Sequence, residues 1–183
     1  GRLKPLSIVG ERAAKYYEDL PLTAHNDNAL GQRARVFHLI GEIEDKLGNL
    51  EVAQARFDAA YASTQALLAR DPKNPDRIFD HAQSAYWAGL MLWKSGTYTK
   101  ARPYFDEYVR QAKALKLVEP YTLRSLQEIT YAHTNLGILL FKNGSEKDAY
   151  NIYFQALPAF KKIAELHPET IKYKLDLADA YGW

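Results

Sequence analysis

The side chains able to do chemistry in this 183-residue chain fall into three groups: five histidines, a run of carboxylates and three lysines in step. His25, His38, His81, His133 and His167 are spaced so that none lies three or four residues from another. Two imidazoles of one helix stand on adjacent turns and reach one metal only at those separations, so a helix-borne metal site is not expected, and with no cysteine there is no thiolate set to replace it. His167 stands before Pro168, a usual place for a residue that ends a helix. Glu42, Glu44 and Asp45 read as solvated helix surface. The chain holds no Gly-rich phosphate loop, no Gly-x-Ser-x-Gly and no His-Glu-x-x-His, and nothing marks a base or oxyanion hole for a serine. No enzyme and no cofactor are expected. Lys46, Lys94 and Lys142 lie 48 residues apart. They read either as a basic ladder that holds the carboxylates of an acidic segment, with Asn135 assisting, or as one cation at the end of each of three helices. There the macrodipole favours positive charge by about 0.3–1 kcal/mol.

That period belongs to the whole chain. Turn glycines recur at Gly48, Gly96 and Gly144, helix-interior glycines at Gly41, Gly89 and Gly137, alanines at Ala53, Ala101 and Ala149, bulky rings at Phe57, Phe105 and Tyr153, and breaks at Pro72, Pro120 and Pro168. A fixed period of this size marks a helical solenoid. Apolar periodicity and the breaks predict helices over about Pro5–Leu20 (closed by Pro21), Ala29–Leu47, Leu50–Arg70, Asp76–Ser95, Tyr98–Leu117, Tyr121–Lys142 and Glu146–Leu166, with an eighth from near Glu169. In the first, Ile8, Val9, Ala13, Tyr16, Tyr17 and Leu20 form the apolar face. Asn26 or Asp27 would cap the second. Asn49, Thr97 and Ser145 stand where N-caps are expected, and Ser145-Glu146-Lys147-Asp148 has the form of a capping box. A glycine inside a helix costs about 1 kcal/mol against alanine. Three in register imply that a second helix comes close at each, with its alanine as the small face and its ring filling the space above. Pro103 and Pro158, past the first turns of their helices, are expected to kink them.

These residues resemble the tetratricopeptide repeat over about 34–166. The units read Phe37, Ile40-Gly41, Glu44, Gly48, Ala53, Phe57, Ala60; then Ala85, Ala88-Gly89, Leu92, Gly96, Ala101, Phe105, Tyr108; then His133, Leu136-Gly137, Leu140, Gly144, Ala149, Tyr153, Ala156. The period of 48 exceeds the 34 of the common repeat, and Glu44 and His133 replace its usual packing residues. The resemblance implies an all-α fold, a right-handed α-solenoid of antiparallel helix hairpins. Residues 1–28 are then an N-terminal helix and connector, 29–75, 76–120 and 121–168 three repeats, and 169–183 the first helix of a fourth, cut at Trp183. The long period with Asp-Pro breaks is similar to repeat regions of bacterial multidomain signalling proteins. The absence of an initial Met agrees with a piece of a longer protein.

In such repeats the first helices line a concave face. Its candidates are Arg35, His38, Glu42, Asp45 and Lys46; Gln83, Tyr86, Leu90, Trp93 and Lys94; Tyr131, Thr134, Asn135, Ile138, Phe141 and Lys142. The first set is charged and the others are richer in aromatic and aliphatic residues, which suits an extended peptide or an amphipathic helix. Leu90, Trp93, Ile138 and Phe141 equally fit core positions. The function expected is a non-catalytic interaction or sensor module of a larger cytoplasmic protein, binding protein or peptide in that groove. The competing expectation is a structural spacer that self-associates through Leu175, Ala178 and Tyr181 of the eighth helix. A net charge of +2 at pH 7 is too small to point to nucleic acid, and no apolar run approaches the roughly 18 residues of a membrane span.

Overall fold

The computed structural model describes residues 3–18, 22–24 and 26–182, and side chains from residue 9 onward. Leu20, Pro21, His25 and Trp183, and the side chain of Ile8, lie outside them. The described residues form α1 (Leu3–Glu18), a short 3-10 turn (Leu22–Ala24), α2 (Asp27–Leu47), α3 (Leu50–Arg70), α4 (Pro75–Lys94), α5 (Tyr98–Val118), α6 (Leu123–Lys142), α7 (Glu146–Leu166) and α8 (Ile171–Gly182). The fold is an all-α solenoid. The tightest pairings are the hairpins α2/α3, α4/α5 and α6/α7, and each hairpin packs on the next.

The hairpins close where the glycines predict. Gly48, Gly96 and Gly144 have φ of 83°, 75° and 79°, a left-handed conformation that side chains with a Cβ resist. Each glycine N–H bonds three residues back, and the residue after it bonds five back: Asn49 to Glu44 O at 2.9 Å, Thr97 to Leu92 O at 2.9 Å, Ser145 to Leu140 O at 2.9 Å. This paired closure satisfies the last carbonyls of the first helix. It also corrects the expected caps. Asn49, Thr97 and Ser145 hold ψ of 65°, 58° and 61°, and none makes a side-chain cap bond. Capping needs extended backbone, which places the side-chain oxygen over the free N–H groups. That geometry occurs before the first helix of each hairpin, at Asn26 (ψ 170°) as expected, and at Asn74 (ψ 117°) and Thr122 (ψ 147°), whose side chains accept from the first turns of α2, α4 and α6.

The helix-interior glycines are contact points, as expected. A Cβ on Gly41 would stand 2.9 Å from the Phe57 ring, one on Gly89 3.1 Å from Tyr104 Cβ, and one on Gly137 2.5 Å from the Tyr153 ring. Ala53, Ala101, Phe57 and Phe105 are buried to within 2%. Pro103 and Pro158 are exposed on helices that continue through them.

α1 differs from its expected face. Val9 and Tyr16 point outward (65% and 68% exposed), while Ala14 is fully buried. A Cβ on Gly10 would meet Ile40 Cγ1 at 2.9 Å. The contact stripe is therefore Gly10 and Ala14, the small residues that let α1 approach α2, with Tyr17 of the expected face packed beside them. Arg56 of α3 adds ion pairs to Glu11 and Glu18. Ion pairs also stitch neighbouring first helices. At their N-terminal ends Arg77 meets Asp27 and Arg124 meets Asp76, and at their C-terminal ends Lys94 meets Asp45.

Candidate functional site

Three cavities run in series between successive first helices. The first, about 460 Å³, lies between α2 and α4 and is lined by residues including Arg35, His38, Leu39, Phe79, Asp80 and Gln83. The second, about 300 Å³, lies between α4 and α6, with Gln83, Tyr86, Tyr108, Glu128, Tyr131 and Asn135 as its lining. The third, about 230 Å³, lies between α6 and α8 and includes Tyr131, Thr134, Lys172, Tyr173 and Asp176. Gln83 is common to the first two and Tyr131 to the last two.

The expected groove residues separate by position along their helices. Arg35, His38, Gln83, Tyr86, Tyr131, Thr134 and Asn135, from the middle of the first helices, line these cavities. Glu42, Asp45, Lys46, Leu90, Trp93, Lys94, Ile138, Phe141 and Lys142, from the C-terminal halves, line none of them. Leu90 and Trp93 are partly buried against the core and Ile138 is half-buried, whereas Phe141 is 56% exposed. Trp93 Nε1 is buried with no hydrogen-bond partner.

The lysine series sits at the last turns of α2, α4 and α6. Lys94 Nζ is 2.7 Å from Asp45 and Lys46 Nζ is 3.8 Å from Glu42. Asn135 spends its amide nitrogen on Tyr131 O at 2.8 Å.

The electrostatics differ between cavities. In the first, burial holds the His38 imidazole below its ordinary range despite Glu42, 3.0 Å away. Asp80 is raised by desolvation and by neighbouring Asp76. In the second, Glu128 is only 6% exposed. Its Oε2 accepts from Tyr108 OH at 2.7 Å and from Gln83 Nε2 at 2.8 Å. Burial pushes the carboxyl up, with those two bonds and the Arg124 charge pulling the other way. Tyr108 is pushed far up by burial and by Glu128.

Glu128, Tyr108, Asp80 and Leu39 were not among the expected groove residues. A signal for the carboxylates was nonetheless present. Asp80, Glu128 and Asp176 stand 48 residues apart, and each lines one of the three cavities.

Two histidines are structural. His81 is 1% exposed, with Nδ1 3.0 Å from Thr64 Oγ1 and Nε2 3.1 Å from Glu107. Burial raises the Glu107 carboxyl, but hydrogen bonds from His81, Arg110 and Gln111 outweigh it and leave it lowered to about 2. His133 is equally buried, with Nδ1 2.7 Å from Ile129 O, and burial lowers its pKa. Among the described residues no three of His, Cys, Asp or Glu gather as a metal site. No described helix is long and apolar enough to cross a membrane.

Residues 46–116 match the family model of the tetratricopeptide repeat. The chain is similar in fold to BtubC (BKLC) of P. vanneervenii, at a TM-score of 0.59 and 13% identity, covering 100% of this chain and 70% of that one. MamA 41-end from Desulfovibrio magneticus RS-1 also matches, at a TM-score of 0.31 and 16% identity, over 87% of this chain and 93% of that one. No curated protein matches the chain in sequence.

Proposed function

We propose that this tetratricopeptide-type solenoid is a non-catalytic protein-interaction module that holds a segment of a protein partner along the face built by α2, α4, α6 and α8. The observation that carries this reading is the run of three cavities with shared walls, Gln83 and Tyr131. An extended segment laid across the first helices would place successive side chains in successive cavities. Tyr86, Tyr131 and Leu39 offer apolar surface beside polar groups, the mixture that gives anchors and register. In this reading the module serves a larger cytoplasmic regulatory protein, and 169–183 is the first helix of a fourth unit. An acidic stretch of the partner would meet Lys46 and Lys142 at the C-terminal ends of α2 and α6, since Lys94 is held by Asp45.

Selection of 12-residue peptides from a random display library tests the reading. Tyr131→Ala and Leu39→Ala, both at exposed side chains, should weaken selected peptides by at least about tenfold, or roughly 1.4 kcal/mol. Tyr150→Ala on α7 should leave them unchanged. Failure to select any peptide that responds to the first two variants would overturn the reading.

A second reading, self-association, is favoured by one observation. Ile171, Leu175 and Tyr181 of α8 are 72%, 60% and 60% exposed, and apolar surface of that kind drives association. Sedimentation velocity across a hundredfold concentration range decides it. A monomer throughout would remove this reading.

A further inference from the structure

The middle cavity, between α4 and α6, differs from its neighbours in having no cation of its own. The first holds Arg35 and His38, and the third holds Lys172, whose Nζ is 3.5 Å from Asp176. The second has Glu128, three tyrosines, Gln83 and Asn135 as its described lining. Glu128 is more than nine-tenths buried, and both of its bonds fall on Oε2, so Oε1 is uncommitted. The two amides are turned the same way. Gln83 gives its nitrogen to Glu128 and Asn135 gives its nitrogen to Tyr131 O, which leaves both amide oxygens uncommitted. These orientations follow from chemistry, since a carboxylate and a carbonyl can only accept. The lining thus offers three acceptor oxygens, one of them on a carboxylate, with tyrosine rings beside them.

A lysine ammonium carries three donors and no acceptor, and its apolar stem and charge are both favoured against aromatic faces. A guanidinium is less suited, because its strength lies in a two-oxygen grip on a carboxylate and Oε2 is already occupied. Resting on the groove reading above, we infer that the cavity between α4 and α6 is a specificity pocket for a lysine side chain of the partner segment, with Glu128 Oε1 as its anionic anchor. In the flanking cavities Asp80 and Asp176 stand at the same register but already face Arg35 and Lys172, so the preference for a lysine belongs to the middle cavity.

The test uses n-butylammonium as a lysine side-chain probe, titrated by NMR against n-butylguanidinium and butyrate. Butylammonium should shift the amide signals of Gln83, Tyr86 and Asn135 saturably in the millimolar range, at least fivefold more tightly than either comparator. Glu128→Gln, which keeps an oxygen for Tyr108 and Gln83, should weaken it at least tenfold. Equal or tighter binding of butylguanidinium or butyrate, an unaltered affinity in folded Glu128→Gln, or no saturable shift would overturn the assignment. The comparison of probes on the unsubstituted protein needs no variant to fold. Display-selected peptides separate this claim from the broader one. Groove-dependent peptides indifferent to lysine-to-norleucine replacement sink the lysine pocket and leave the groove standing, whereas the absence of groove-dependent peptides sinks the groove.

Discussion

Glu128, which is buried, and Glu107, which is only partly buried, are carboxylates shifted in opposite directions. At Glu128 burial raises the pKa, so between its ordinary value and the raised one the folded chain binds more protons than the unfolded chain. Stability from this group therefore falls as pH rises through that window, and Glu128→Gln should raise the neutral-pH melting temperature while removing that slope. At Glu107 the pKa is lowered to about 2. Its contribution is fully present above the ordinary carboxylate range and is lost as pH falls toward 2. Glu107→Gln should cost about 1–2 kcal/mol at pH 7, progressively less in acid, by urea denaturation at several pH values. Trp93 packs against the core. Trp93→Ala should cost about 2–3 kcal/mol of stability, whereas Trp93→Phe, which deletes a buried unpartnered N–H, should be close to neutral.

At the scale of helices, packing was the most legible level. Gly41, Gly89 and Gly137 announced close approach because their helix penalty had to be offset, and the Phe57 and Tyr153 rings stand where the contacts were expected, whereas at Gly89 Tyr104 comes nearer than the expected Phe105. The N-terminal caps were less legible. Residue type alone nominated Asn49, Thr97 and Ser145, but a cap also needs extended backbone, and the glycine closure before each residue had already set its ψ. The α1 stripe was misread for a related reason. Gly10 and Ala14 make contact by being small, and a search for large apolar residues passes over them. The register of Glu128 with Asp80 and Asp176 takes on meaning only beside the cavities that the three carboxylates line. These distinctions can be measured by thermal and urea unfolding. Thr122→Ala should cost about 1 kcal/mol, while Ser145→Ala should stay within about 0.5 kcal/mol. Gly41→Ala should destabilise by about 1–2 kcal/mol, because the fully buried Phe57 cannot move aside and overpacking exceeds the gain in helix propensity.

Over the described residues each hairpin packs chiefly on its neighbours, so stability is largely a sum of local interfaces. Hydrogen exchange should accordingly be slowest in α4 to α6 and fastest in α8, which has no buried residue. Uniform protection along the chain would contradict this. The cavities depart from that independence, because Gln83 and Tyr131 each form a wall of two. On the proposed groove reading Asp80, which lines one cavity, can be exchanged with only local effect on what is recognised. On the same reading a substitution at Gln83 or Tyr131 rewrites two neighbouring letters of the recognised segment together. Change in specificity along the proposed groove would therefore be free at some positions and constrained to move in pairs at others.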